Sequence, residues 1–410
     1  MSVKTIAMLL AGGEGRRLYP LTMDRTKPAV PWGGRYRIID IVLSNFVNSG
    51  FTRINVLTQF KADSLIKHIS RGWQLESKFG RYIDIIPAQM RVSKDWYKGS
   101  ADAIFQNLNL IHDESPDHVF VFGSDHIYKM EINQFLNYHK KKKADLTIAA
   151  LPVPINEAKR FGVIEVDRDM RVIGFQEKPE NPKPMPGNPD LALVSMGNYI
   201  FKSDVLVDVV SEDAKKENSE HDFGKNVIPS MYERYRVYVY DFRKNRVPGI
   251  TRKERGYWVD IGTIDSYWQA SMDLVSVSPV FNLYNRKWPI YSYNPDSPPA
   301  KFVFANEKKK RVGVATDSIV AEGCIVSGGR VNKSILFSNV RVNSFSDVDN
   351  CILFNNVNVG RYCKLKNVLC DKDVNIPPKT VIGYNLEEDR KRFKVTEGGI
   401  VVIPKGYRFE

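Results

Sequence analysis

The stretch Leu9-Leu10-Ala11-Gly12-Gly13-Glu14-Gly15-Arg16-Arg17-Leu18, with Lys27-Pro28-Ala29-Val30 close behind, decides the fold of the N-terminal part. Before it, Thr5-Ile6-Ala7-Met8-Leu9-Leu10 has the length and apolar content of a strand covered on both faces of a parallel sheet. The chain therefore enters the glycines from the C-terminal end of a buried strand, where open α/β sheets bind ligands. Gly12, Gly13 and Gly15 allow positive φ and leave no side chains between the backbone N–H groups and a phosphate. No Gly-Lys-Ser/Thr follows and the spacing is not Gly-x-Gly-x-x-Gly, so this is a phosphate cradle of another kind. Arg17 and Lys27 are placed to supply the fixed positive charge that a triphosphate needs.

Working outward, Ile54-Asn55-Val56-Leu57, Val119-Phe120-Val121-Phe122 and Leu146 to Leu151 read as further buried strands. Ala62 to Ile69 and Ala101 to Ile111 carry apolar residues at helical spacing between them. This βαβ alternation predicts a mostly parallel sheet. Val163 to Val166 and Val172 to Phe175 predict a hairpin added to it, and Pro179 to Pro189 a surface loop.

A chain of 410 residues exceeds one typical core. We expect a catalytic domain over 1–275, a proline-bearing linker over 276–300 and a second domain over 301–410. In the second, Val340, Val357 and Val374 recur every 17 residues, as do Ile335-Leu336-Phe337 and Ile352-Leu353-Phe354. Apolar residues also fall six apart, as in Ile319, Ile325 and Val331, or Val342 and Val348. Short strands turning one apolar residue inward per side predict a three-sided parallel β-helix. A small β-sandwich would explain alternation but not the 17-residue register.

Cys324, Cys351, Cys363 and Cys370 lack Cys-x-x-Cys spacing and read as reduced thiols. The net charge of +13 suits polyanionic ligands, but the runs Lys140 to Lys143 and Lys308 to Arg311 have no interleaved aromatics, so no nucleic acid is expected. No apolar run reaches the roughly 18–20 residues of a membrane span and no signal-peptide layout precedes the first strand, so no membrane association and a cytoplasmic location are expected.

Asp125 follows a buried strand in Gly123-Ser124-Asp125-His126, and Asp260 lies among apolar neighbours in Trp258-Val259-Asp260-Ile261. Two carboxylates converging on a triphosphate suit Mg²⁺, which takes few protein ligands. Taken singly, each aspartate is more often a helix N-cap or turn former, but together with the glycine-rich loop the balance reverses. Glu177 and Lys178 close the hairpin as an acid beside a base, able to accept sugar hydroxyls and to pair with a phosphate.

These stretches, with Pro87-Ala88-Gln89, Trp96-Tyr97-Lys98-Gly99-Ser100-Ala101-Asp102-Ala103, Ser195-Met196-Gly197, His221-Asp222-Phe223-Gly224-Lys225 and Pro299 to Val303, resemble the bacterial ADP-glucose pyrophosphorylases, a branch of the sugar nucleotidyltransferases. The resemblance runs from about residue 4 to about residue 400. It implies an α/β catalytic domain of Rossmann-like fold with a mixed, mostly parallel sheet, then a C-terminal left-handed parallel β-helix. It also implies a homotetramer, a Mg²⁺ cofactor, control by phosphorylated metabolites, and synthesis of ADP-glucose and pyrophosphate from ATP and glucose 1-phosphate.

Carried over by position, Arg17, Lys27 and Asp125 are catalytic, and Asp125 and Asp260 hold the metal. Leu10, Ala11, Gly12, Gly13, Gly15, Gln89, Tyr97 and Gly99 fall on the nucleotide side. Gly162, Glu177, Lys178, Ser195, Asp222 and Trp258 fall on the glucose 1-phosphate side, and Arg25, Arg37 and Lys372 on an effector site. Asp24 stands where an effector lysine occurs in enteric-type relatives, so the activator is not carried over; a monophosphate is expected to act better than a bisphosphate. The alternatives are another nucleotide or sugar 1-phosphate, or a regulatory subunit. An acyltransferase on the β-helix is disfavoured, because no histidine follows His221.

Overall fold

The computed structural model describes residues 3–89, 95–303, 305–309 and 311–409; Lys310, in the basic run Lys308 to Arg311, lies outside them. Thr5–Leu10 (β1), Arg53–Thr58 (β2), Tyr82–Pro87 (β3) and His118–Gly123 (β4) run parallel in the order β4-β1-β2-β3. Between them lie Ile38–Asn48 (α1), Asp63–Gly72 (α2), Ser100–Phe105 (α3) and Leu108–Glu114 (α4). The helix expected over Ala101 to Ile111 breaks at Asn107, whose amide reaches back to the Ala103 carbonyl at 2.8 Å and to the Tyr97 hydroxyl at 2.9 Å. An asparagine side chain that competes for backbone partners ends a helix readily.

Beyond β4 come His126–Tyr128 (β5), Ile132–Lys142 (α5) and Leu146–Pro154 (β6). Gly162–Val166 (β7) and Val172–Glu177 (β8) form the expected antiparallel hairpin. The long strand Leu191–Lys202 (β9) runs antiparallel to both β4 and β6, joining the hairpin to the parallel half. Ser203–Asp213 (α6), Ile228–Met231 (α7), Val237–Asp241 (β10), Trp258–Asp260 (β11) and Ile264–Asp273 (α8) complete the domain. Apolar clusters cover both faces of the sheet, which is why β1 and β4 read as unbroken apolar runs.

The segment around Trp288 is laid along α1 by side chains. Trp288 Nε1 donates to Asn45 Oδ1 at 3.1 Å, Asn48 Nδ2 to the Pro289 carbonyl at 2.8 Å, and Ser292 Oγ to Asp40 Oδ2 at 2.6 Å. A linker held this way is a strap rather than a flexible tether.

The C-terminal strands stack in three parallel ladders, among them Ile325–Ser327, Arg341–Val342 and Asn358–Val359 on one side. The architecture is the parallel β-helix that the 17-residue repeat predicts, and it is left-handed. Its interior is filled by Val326, Val331, Leu336, Val342, Val348, Leu353, Val359, Leu365, Cys370, Ile376 and Ile382, which from Val331 onward are spaced five, six and six apart in repeating order. One short side per coil is why the repeat is 17 residues. The strict six-residue spacing drawn through Ile319 and Ile325 is therefore off by one: Val320 and Val326 face the interior cluster, and Ile319 packs toward the catalytic domain. All four cysteines are free and buried there.

On the third side of the β-helix both faces are apolar. Ile335, Ile352 and Leu369 turn outward, and with Phe337 and Phe354 they pack against Leu18, Ile38 and Tyr267. Adjacent residues of one strand thus serve two cores. Thr396 Oγ1 donates to Asp265 Oδ1 at 2.8 Å, and Arg25 meets Asp371 in a bidentate pair at 2.9 Å, both partners buried. Among the described residues no helix is long and apolar enough to cross a membrane.

Candidate active site

The glycine loop leaves β1 at Leu10, whose carbonyl accepts from Ser124 Oγ at 2.6 Å. Thr26 Oγ1 bonds the Ala11 carbonyl at 3.1 Å and Thr22 Oγ1 the Gly15 carbonyl at 3.0 Å, so the loop is pinned by its own downstream chain. Gly15 has φ +63°, and a Cβ there would stand 3.0 Å from Thr22 and 3.1 Å from Lys27. A Cβ on Gly13 would meet nothing within 4 Å, because that position faces open space. Leu10, Ala11, Gly12, Gly13, Gly15, Arg17, Lys27, Tyr97, Gly99 and Asp125 line one cavity of about 650 Å³. Gln59, which the sequence reading passes over, lines it too, and its amide holds Tyr97 by a 2.7 Å bond from the Tyr97 N–H. Gln89 is exposed two residues past β3 and is not brought to the wall of this cavity.

A second cavity of about 360 Å³ adjoins the first and shares Leu10, Arg17, Lys27, Ser100 and Asp125 with it. Gly162, Glu177, Lys178, Ser195, Asp222, Trp258 and Asp260 all line it. These residues come from the hairpin and β9 of the main sheet, from the turn before α7, and from β11, which pairs with β5 in a small sheet of its own. The Glu177 carboxylate sits where a Cβ on Gly162 would be 2.9 Å from its Oε2 and one on Gly224 2.6 Å. Either side chain would expel it, so Gly162 acts by giving room. Lys178 Nζ pairs with Glu177 Oε1 at 2.6 Å and is more than half exposed.

Between the cavities Lys27 Nζ lies 2.8 Å from Asp125 Oδ2 and 2.9 Å from Asp260 Oδ1. Burial pushes the Lys27 ammonium down, yet the two carboxylates outweigh it and its pKa is raised. Burial pushes Asp125 up, but Lys27 and then His126 hold it well below the ordinary carboxylate range. The antiparallel pair β5 and β11 sets Asp260 opposite His126, so residues far apart in sequence register across one short ladder. Asp125, His126 and Asp260 each offer one ligand atom, all within 4.8 Å of one another. Two converging carboxylate oxygen donors fit a hard divalent cation. His126, its ring tilted 48° against that of Trp258 with 4.9 Å between centroids, is a neighbour that the motifs do not single out. Gly262 lets Arg17 approach to 4.0 Å from Asp260, since its Cβ would be 2.9 Å from Arg17 Nη2.

Arg25, Arg37 and Lys372 line a third cavity, of about 280 Å³, between the catalytic domain and the β-helix. Lys372 sits in the corner between Val368–Cys370 and Asn375–Ile376, not in a repeat strand. Burial, then Arg37 and Arg25, push its ammonium down to about 7. Arg25 is not a free cation, because its guanidinium is committed to Asp371. Lys67, Arg71 and Lys405 also line the cavity, so the preference for a monophosphate drawn from Asp24 alone loses its basis.

Residues 6–277 match the nucleotidyl transferase family model, and residues 298–403 match a GlmU-like C-terminal hexapeptide model. A glucose-1-phosphate adenylyltransferase of Anaeromyxobacter sp. (strain Fw109-5) is 59% identical over 408 residues, 99% of each chain. One from Thermus thermophilus is 57% identical over all of both chains, and glucose-1-phosphate adenylyltransferase 1 of Vibrio parahaemolyticus is 54% identical over 98% of each.

Proposed function

The chain belongs to the nucleotidyl transferase family, and from that premise we propose that it makes ADP-glucose and pyrophosphate from ATP and glucose 1-phosphate. The observation that carries this reading is the pair of adjoining cavities that meet at Lys27, Asp125 and Arg17. One is floored by bare backbone and suits a triphosphate; the other is ringed by Glu177, Lys178, Ser195 and Asp222 and suits a sugar phosphate. The phosphate of glucose 1-phosphate is already anionic near neutral pH, so no general base is required. Its oxygen attacks the α-phosphorus in line while pyrophosphate leaves, and the chain contributes alignment and charge.

Lys178 holds the sugar phosphate, and Arg17 and Lys27 stabilise charge on the leaving pyrophosphate. A bound divalent cation, taken as Mg²⁺, adds charge neutralisation on the phosphates, and Asp125 and Asp260 are the residues to hold it. Lys27 pairs with the same two carboxylates and so keeps them converged.

Residues 1–275 are taken as the catalytic domain, 276–300 as the linker and 301–410 as the part serving regulation and a homotetramer, with the enzyme in the cytoplasm. The cavity of Arg25, Arg37 and Lys372 is assigned to a phosphorylated metabolite. A panel of nucleoside triphosphates and sugar 1-phosphates, followed by pyrophosphate release, tests the reaction. Greatest kcat/KM with ATP and glucose 1-phosphate is expected, and a tenfold preference for another pair overturns the substrate assignment. In the same assay Lys178→Ala should raise KM for glucose 1-phosphate far more than KM for ATP.

A further inference from the structure

Besides the floor that they share at Lys27 and Asp125, the two substrate cavities have a common wall at Ser100, where the chain before α7 meets the start of α3. Asp222 Oδ2 accepts from Ser100 Oγ at 2.9 Å, and the same hydroxyl accepts from the Phe223 N–H at 2.9 Å. Asp222 Oδ1 caps the next turn, taking bonds from the N–H groups of Gly224 and Lys225 at 2.9 and 3.1 Å. One residue back, the His221 carbonyl accepts from the N–H groups of Ala101 at 2.8 Å and Asp102 at 3.3 Å. Those N–H groups belong to the first turn of α3, which has no side-chain cap of its own. Gly99 permits the approach, since a Cβ there would stand 2.3 Å from the carbonyl oxygens of Glu220 and His221.

For its carbonyl to reach α3, His221 adopts φ +52°. A non-glycine residue takes the left-handed region seldom, and keeps it where surrounding bonds over-determine it. Here a closed ring does so. His221 Nδ1 bonds Asp213 Oδ2 at 2.9 Å, Ser219 Oγ donates to Asp213 Oδ1 at 2.8 Å, and the His221 N–H donates to Ser219 Oγ at 2.9 Å. Asp213 ends α6 and is 2% exposed, so the ring is anchored to a packed helix.

We propose that His221, locked by Asp213 and Ser219, is a positioning residue that fixes Asp222 against Ser100 and so sets the sugar-phosphate wall of the cleft relative to the nucleotide wall. It rests on the reading above, in which Asp222 holds glucose 1-phosphate. His221 itself lines neither cavity. On the nucleotide wall Tyr97 is fastened apart from the ring, by Gln59 and Asn107, whereas Asp222 is fixed to Ser100 within the turn that the ring holds. Loss of the ring therefore falls on the sugar side.

The test uses the full-length enzyme and four variants, His221→Gly, His221→Ala, Asp213→Asn and Asp222→Ala. Glycine accepts positive φ without the imidazole, so His221→Gly separates the ring from the backbone conformation. His221→Gly and His221→Ala should each raise KM for glucose 1-phosphate at least tenfold and move KM for ATP less than twofold, with Asp213→Asn in the same direction. An unchanged KM for glucose 1-phosphate in His221→Gly and Asp213→Asn, or equal losses for both substrates, overturns the proposal. If His221→Ala does not fold, the other two carry the test. A wild-type KM for glucose 1-phosphate in Asp222→Ala overturns the assignment of Asp222, and the proposal with it; loss there with no loss at 213 or 221 overturns the proposal alone.

Discussion

The β-helix and the catalytic sheet both stack parallel strands, yet they use their residues in opposite ways. Each coil of the helix repeats the same solution: Val342, Val359 and Ile376 occupy one interior column, and Asn358 Nδ2 bonds Asn375 Oδ1 across one period. The strands of the catalytic domain bring different groups to the site: bare backbone at Gly12 after β1, Asp125 after β4, Glu177 at the end of β8, Ser195 within β9, and Asp260 at the end of β11, which pairs with β5 beside the sheet. A solenoid coil contacts only its neighbours, so like residues stack on like, whereas a sheet edge gathers residues from distant strands into one place. The helix departs from its repeat at the Asp371-Lys372 corner, and there it meets Arg25 of the catalytic domain.

Substitutions should divide along that line. The largest effect is expected in the sheet: Asp125→Asn or Asp260→Asn should lower kcat about 1,000-fold with the fold intact, because a neutral amide is a poor ligand for a hard cation. Steady-state rates over a range of Mg²⁺ check this, and a tenth of wild-type kcat would remove that residue from the metal site.

Next comes the irregular corner. Asp371→Ala leaves the Arg25 guanidinium buried and unpaired, and should cost about 3 kcal/mol in chemical denaturation. Arg25→Ala strands Asp371 in the same way, so it should lower stability as well as blunt any response to an effector, and basal turnover is not insulated from it. A loss under about 0.5 kcal/mol for either would mean that solvent reaches the pair.

A smaller effect concerns pH. Lys372 sits near 7, so an anion in its cavity should bind up to about tenfold more weakly as pH rises from 6 to 8 and the ammonium is lost. The stability linkage has the opposite sign. With its folded value below its ordinary one, the native state holds fewer protons between about 7 and 10.5, so this group adds stability as pH rises through that window. Titration of a sugar phosphate by calorimetry at several pH values checks the first statement, and a Lys372→Met variant should flatten both dependences. The smallest effect belongs to the regular coils: Ile376→Val should cost about 1 kcal/mol and leave kcat unchanged, because a neighbouring coil supplies the same column. A fall in kcat there would show that the regular coils also support catalysis.

The strand before the glycines, the hairpin at 163–175 and the 17-residue period were legible because each is local: alternation, apolar runs and glycine placement act within a few residues. The bare backbone of the cradle and the strand-end positions of Asp125 and Glu177 follow from the same local rules. What no local pattern contains is which groups meet. Asp260 reaches Asp125 only through the ladder of β5 and β11, and Lys27 then settles between them; the commitment of Arg25 to Asp371 exists only because the third side of the β-helix packs on the catalytic domain. The interior spacing of five, six and six likewise needed the closed coil, since only a short corner decides which of Ile319 and Val320 turns inward. Sequence determines the elements because backbone preferences and apolar periodicity are short-range. The tertiary structure decides the site because charge pairing and shared desolvation act between residues that packing, not chain proximity, brings together.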